Sequence, residues 1–185
     1  MSGHSKWSQI KRQKGVTDAA RSRVFSRFAR LITLESKKAA GNVSAPGLKA
    51  VIDRAKAANM PKDNIERAVA KGASKDSGDL EQVTYECYGP GGCAIVIDAL
   101  TDSRNRTTQA IKLIMTKNNI ELAAPGSALW AFTKSADGTF TPNEPLMDVA
   151  GEDEEKLGHL LELFDEQEDV QTVYTNAQGY ESTRE

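Results

Sequence analysis

The hydrophobic pattern changes period near residue 80. Upstream of that point the apolar positions recur at helical spacing. Val24, Phe25, Phe28, Leu31 and Ile32 predict a helix that Thr17 can cap, with Asp18 in its first turn and Gly41-Asn42 at its end. Pro46 opens a second helix carried by Leu48, Val51, Ile52 and Ala55, and Pro61 opens a third lined by Ile65, Ala68 and Val69, with Gly72 as its stop. Residues 17–75 therefore read as a three-helix module. Residues 1–16 show no period and read as an extended basic arm, mobile unless docked. Ala73–Leu80, rich in Ser, Asp and Gly, reads as a linker.

Downstream the pattern predicts strands. Val83–Tyr88 and Cys93–Leu100 flank the turn Gly89-Pro90-Gly91-Gly92. Ser103–Asn118 is helical, with Ala110, Ile111, Ile114 and Met115 on one face; Ser127–Thr133 alternates as a strand. A short strand follows near Thr139–Val149, restricted to an edge or bulge by Pro142 and Pro145. Glu152–Asp165 is an amphipathic helix with Leu157, Leu160, Leu161 and Phe164 inside, and Asp169–Thr175 is a final strand. From Cys93 the order is β-α-β-β-α-β, so the expectation is an α+β protein. In it the basic helical module precedes a ferredoxin-like (split βαβ) domain over 81–177 with one extra strand in front, and 178–185 form a disordered tail.

Charge divides the chain at the same place. Residues 1–75 hold 17 Lys/Arg against 5 Asp/Glu, a formal +12, and residues 76–185 hold 7 against 21, a formal −14, which sum to the net −2. This is the pattern of a basic module that meets a polyanion, followed by an acidic body that does not. No apolar run approaches the ~20 residues that span a bilayer, so no membrane partner is expected. The start MSGHSKWSQI lacks the apolar core of a secretory signal. An Arg-rich, acid-poor start also fits a mitochondrial presequence, but the cytoplasm of a bacterium is the expectation. There Cys87 and Cys93, which flank the hairpin turn, are expected as free thiols. A monomer is the expectation for oligomeric state.

Five blocks stand out in order along the chain: Gly3-His4-Ser5-Lys6-Trp7 with Ile10-Lys11; Lys56 to Ala68 (KAANMPKDNIERA); Tyr85 to Gly92 (YECYGPGG); Leu100 to Thr107 (LTDSRNRT); and Asp169 to Asn176 (DVQTVYTN). Together they resemble the YebC/PmpR family, which includes the mitochondrial translational activator of cytochrome oxidase subunit I. The match starts at Gly3, so no removable leader is expected. The resemblance implies a cytoplasmic, non-catalytic protein with a helical N-terminal domain followed by α/β domains. It also implies a nucleic-acid partner, as a DNA-binding transcriptional regulator or as a ribosome-associated translation factor. Two departures stand out. Cys87 replaces the family glycine before the turn. The further α/β domain that the family carries between the strand near Phe132 and the stretch near Pro142 is absent, leaving a short form.

The candidate contacts follow from charge and chemistry. Lys6, Lys11, Arg12 and Lys14 of the arm, with Arg21, Arg23, Arg27 and Arg30 of the first helix, can neutralise phosphates; Lys37 extends the helical stripe. Trp7 can stack on an unpaired base and His4 can contact phosphate or ribose. Against the alternative of a solvated charged face stands the excess of eight cations over one acid in the first 30 residues. Arg104 and Arg106 fall in the first turn of a helix, where cations oppose the dipole by ~0.3–1 kcal/mol each. Either Asp98 and Asp102 compensate them structurally or a phosphate does so functionally. Lys62, Asp63 and Asn64 read as a polar helix start or a partner surface. The Gly89–Gly92 turn lacks the Lys-Ser/Thr of a phosphate loop and reads as a hairpin.

No catalytic residues, metal ligands or cofactor are predicted. The two histidines, His4 and His159, complete no triad, and two cysteines without suitably spaced histidines form no zinc signature. The acids at 152–155 read as a dipole-complementing helix start. With no recognition helix evident, the expected binding is phosphate-dominated, shape-led and steeply salt-dependent. DNA and ribosomal RNA both stand as targets, and the physics of a flexible basic arm with one aromatic, able to enter a crowded RNA site, leans to structured RNA. A protein-interaction adaptor is the alternative of another class.

Overall fold

The computed structural model describes Lys6, residues 17–74 and residues 78–183. They form two compact units, one of Thr17–Glu81 and the other of the chain from Gln82 onward, which Lys6 joins.

The first unit contains helices α1 (Asp18–Lys38), α2 (Pro46–Ala57) and α3 (Lys62–Ala73). Thr17 Oγ1 accepts from the amide of Ala20 at 3.1 Å, so the predicted cap forms. Lys37 and Lys38 occupy the last turn of α1, where cations suit the dipole. The helix ends at Lys38, and the reversal passes through Ala40 and Gly41, both at positive φ. Ile32, Leu48, Ile52, Ala55, Met60, Ile65 and Ala68 form the core, with Phe25 and Phe28 packed against it. Gly72 is not a helix stop. It is buried inside α3, where an added Cβ would lie 2.4 Å from the carbonyl oxygen of Thr33 and 2.6 Å from Ser36 Cβ. The α1–α3 seam is polar as well as close: Ser36 Oγ donates to Val69 O at 2.7 Å and Thr33 Oγ1 to Ala68 O at 3.3 Å.

The second unit is built from β1 (Glu81–Tyr88), β2 (Ala94–Thr101), α4 (Arg104–Lys117), a 3-10 turn (Leu129–Ala131), β3 (Phe132–Lys134), β4 (Phe140–Pro142), α5 (Glu152–Asp165) and β5 (Val170–Thr175). The molecule is thus α+β, and the element order after Cys93 is the predicted one. The strand pairing differs from a split βαβ. The main sheet has three strands in the order β1-β2-β5, while β3 and β4 form their own two-stranded ribbon. In a split βαβ the later central strand lies beside the first; here β1 fills that edge of β2. Three-residue strands, one ending at Pro142, cannot extend across the main sheet.

β2 pairs antiparallel with β5, with Ile97 opposite Val173, and is buried on both faces. One face packs Ile95, Ile97, Tyr85 and Cys87 against Ile111 and Met115 of α4 and Leu157, Leu160, Leu161 and Phe164 of α5. On the other face Ala94, Val96 and Tyr174 meet Ala128, Ala131, Phe132 and Phe140.

Two further expectations are corrected. Ser127–Thr133 is a turn leading into a short strand. The buried carboxylate of Glu86 accepts the amides of Gly126 at 2.6 Å, Ala128 at 2.7 Å and Leu129 at 2.9 Å, which removes those donors from any ladder. Residues 178–183 are ordered against the body rather than a loose tail. Tyr180 and Thr183 are buried, the Thr183 amide donates to Val173 O at 2.9 Å, and Ser182 bridges to Tyr174. This segment covers the open edge of β5. Cys87 and Cys93 are buried free thiols. Among the described residues no helix is long and apolar enough to cross a membrane.

Candidate nucleic-acid interface

A helix whose inner stripe is apolar presents its remaining positions outward, and α1 fills many of them with arginine. Arg21 is exposed; Arg23, Arg27 and Arg30 are half-buried, so their stems lie along the helical unit. Arg21 makes a loose pair with Asp18 at 3.4 Å in an exposed setting. Arg54 of α2 stands over the Phe28 ring of α1, its guanidinium carbon 5.7 Å from the centroid, and so adds a second helix's cation beside the stripe. Lys37 and Lys38 are engaged differently: Lys37 pairs with Asp79 and Lys38 with Glu35 at 2.7 Å. Lys37 holds the Asp79 carboxyl below its usual range. Residues 17–74 carry 12 Lys/Arg and 5 Asp/Glu, a formal +7 on 58 residues. Lys62 meets Glu66 at 3.5 Å and Arg67 bonds Asn64, so the Lys62-Asp63-Asn64 start is locally paired surface.

Of the arm, His4, Trp7, Lys11, Arg12 and Lys14 lie outside the described residues. Lys6 is placed, and on the acidic unit. Its Nζ lies 2.7 Å from Glu154 Oε1, which raises the Lys6 pKa and lowers that of Glu154. The Tyr180 hydroxyl donates to the same carboxylate oxygen at 3.2 Å. The Lys6 stem runs along Gly179, where an added Cβ would sit 3.0 Å from Lys6 Cγ.

Arg104 and Arg106 open α4 as predicted, and both are exposed. Arg106 Nη2 reaches Asp102 at 2.8 Å and Asp169 at 3.1 Å, and the Asp169 hydrogen bond, then that of Asp102, raises its pKa. Asp98 instead accepts from Gln82 at 2.9 Å. Asp169 is the residue that sequence reasoning missed. Buried at the foot of β5, it also accepts from Thr107 Oγ1 at 2.6 Å, and that hydroxyl lies 2.8 Å from Thr101 Oγ1. The blocks Leu100–Thr107 and Asp169–Asn176 therefore meet in space. Their shared place among the family-like blocks was the only signal that could have paired them. At the other end of Asp169–Asn176, the Oδ1 of Asn176 accepts the amide of Ala94 at 2.8 Å. Trp130, read as part of a strand, is 68% exposed, its indole N–H donating to Tyr88 at 3.0 Å. Among the described residues no cluster of His, Cys, Asp or Glu is placed to hold a metal ion.

Comparison with known proteins returns the same two-part division. A family profile described as the TACO1/YebC protein N-terminal domain matches residues 5–75, and one described as the TACO1/YebC second and third domain matches residues 80–136. A protein of Lacticaseibacillus casei named "Probable transcriptional regulatory protein" is 37% identical over 192 residues, covering all of this chain and 76% of its own length. One of the same name from Desulfosudis oleivorans is 41% identical over 187 residues, covering 94% of this chain and 74% of its own. The crystal structure of a conserved hypothetical protein from Aquifex aeolicus superposes with a TM-score of 0.77 at 27% identity, over 87% of this chain and 91% of that one.

Proposed function

This chain belongs to the TACO1/YebC family, and we propose that it regulates transcription without catalysis, by binding DNA through the basic face of its helical unit. The observation that carries the reading is the arginine row Arg23, Arg27, Arg30 on α1, set within a unit of formal charge +7. The planar guanidinium suits phosphate oxygens, and a row of cations along a helix releases counterions when it meets a duplex. The names of the relatives point the same way. Arm residues His4, Lys6, Trp7, Lys11, Arg12 and Lys14 add to the contact, with the bacterial cytoplasm as the place of action.

Fluorescence anisotropy of the full chain with a labelled mixed-sequence duplex tests this. Affinity is expected to fall steeply between about 50 and 200 mM salt. The triple variant Arg23→Glu/Arg27→Glu/Arg30→Glu is expected to lose about a hundred-fold or more and to flatten the salt slope by about three. A wild-type chain that ignores DNA in dilute buffer sinks the proposal. Preference for a ribosomal RNA fragment over the duplex replaces it with the translation-factor reading.

A further inference from the structure

Helix α4 reverses the charge of the unit it belongs to. Residues 76–185 contain 7 Lys/Arg and 21 Asp/Glu. Four of those seven cations, Arg104, Arg106, Lys112 and Lys117, lie in α4, and α4 contains no acid. Its neighbour α5, on the same face of the sheet, does the opposite, with Glu152, Asp153, Glu154 and Glu155 in its first turn. A helix that only needs solvation in an acidic body has no reason to exclude Asp and Glu, least of all from its first turn, where the dipole favours them.

The register of α4 sorts its residues. Thr107, Ile111 and Met115 are buried, while Asn105, Gln109, Lys112, Leu113, Thr116 and Lys117 are exposed on the outward side. Arg106 is held by Asp102 and Asp169. Arg104, Lys112 and Lys117 make no ion pair among the described residues. From Arg106 to Lys117 the cations extend over about 16 Å of helix.

We propose that the outward face of α4 is a second DNA-contacting surface, with Lys112 and Lys117 on backbone phosphates and Asn105 and Gln109 turned to base edges. The proposal rests on the DNA-binding reading above and adds a second place of contact. One α-helix fits the major groove of B-DNA, and Asn and Gln match the paired donor and acceptor of adenine there. The deep, narrow groove of A-form RNA does not admit such a helix, so duplex DNA is the partner this face fits. Asn105 and Gln109 do not stand out in the sequence as a reading pair; the helical register places them on one face. The acids of α5 repel phosphates laid across both helices, so the duplex must follow α4 alone. The contribution is accordingly local and screened by salt.

The test uses the full chain and the same labelled duplex. Lys112→Glu/Lys117→Glu is compared with a control of equal net charge, Lys134→Glu/Lys156→Glu. The α4 variant is expected to bind about ten-fold more weakly and to reduce the salt slope by about two, with the control changing little. Circular dichroism checks folding, and the milder Lys112→Gln/Lys117→Gln is expected to show about half the loss on a logarithmic scale. Equal losses in α4 variant and control overturn the proposal, since net charge alone then explains them. An unchanged α4 variant overturns it too. If the α1 triple variant still abolishes binding in that case, the DNA-binding reading survives and only the second surface falls. A matched RNA hairpin losing as much affinity as the duplex rejects groove entry.

Discussion

The two units place their charged groups in opposite ways. In the helical unit the ion pairs named above, such as Arg21–Asp18 and Lys62–Glu66, are exposed surface contacts, and the arginines of α1 are at most half-buried. Pairs of that kind contribute little to folding. In the acidic unit two carboxylates are wired into the interior. Glu86 gathers three backbone amides, and Asp169 gathers Thr107 and Arg106. Surface charge is therefore available to a partner in one unit, while buried charge holds loops and helix starts in the other. Net charge alone, +12 against −14 for the two halves of the sequence, does not reveal this division of labour.

The strongest way to break the comparison is to remove an interior carboxylate. Asp169→Ala removes the buried charged acceptor of the Thr107 hydroxyl, which keeps only Thr101 and the Ser103 carbonyl, and leaves the Arg106 guanidinium with Asp102 alone on a dipole that opposes it. The lost buried hydrogen bonds are expected to destabilise the acidic unit by about 2 kcal/mol, because the Arg106 left behind is exposed to water. Urea unfolding followed at Trp130, the one tryptophan left in a Trp7→Phe background, reads it. An unchanged midpoint removes Asp169 from the interior wiring. The matching cut in the helical unit is steric. Gly72→Ala drives a methyl to 2.4 Å from the Thr33 carbonyl and is expected to cost about 2 kcal/mol by forcing α1 and α3 apart. Far-UV circular dichroism checks the loss, and the Trp130 transition should not move with it.

These two positions also mark how far the sequence could be read. Helix α5 follows from it to the residue, since an apolar stripe at 157, 160, 161 and 164 and an acidic first turn agree. The Thr17 cap is equally local. Gly72 was misread because a glycine that ends a helix and one that admits a neighbouring helix look alike until the neighbour is placed. Ser127–Thr133 was misread because its amides answer to Glu86, some forty positions away. The candidate site divides the same way. Arg106 was visible as a cation in an unfavourable place, but Asp169 lies 63 residues off in sequence. Of the two nearer acids that the sequence offers, Asp102 does pair with Arg106, whereas Asp98 accepts from Gln82.

A smaller effect separates the units by pH. Burial first, then the nearby Cys93, pushes the Cys87 thiol from about 9 to about 12. The folded chain thus binds that proton more tightly than the unfolded one. Its contribution is fully present below pH 9 and is lost as pH rises from 9 towards 12. The acidic unit should lose stability across that window, and Cys87→Ser should flatten the loss. Alkylation at pH 8 should be slow until urea unfolds the chain. Rapid labelling of the native protein would contradict the burial argument.

The smallest expected effect lies where the two habits of charge meet. Lys6 belongs by sequence to the basic arm, yet it is docked on Glu154 at 2.7 Å, with Tyr180 on the same carboxylate. For Lys6 to reach a phosphate that contact must open, so Glu154 competes with DNA for the same ammonium. Glu154→Gln keeps the shape and the Tyr180 hydrogen bond while removing the charge. An exposed pair of this kind is weak, so the variant should bind duplex DNA only about two-fold more tightly at low salt. The gain should fade by about 150 mM, where the screening length approaches 8 Å. Gly179→Ala, which crowds the Lys6 stem without altering charge, should act in the same direction. If both variants leave the affinity unchanged while Lys6→Ala lowers it, Lys6 reaches DNA without leaving Glu154. The carboxylate is then a positioner of the arm rather than its competitor.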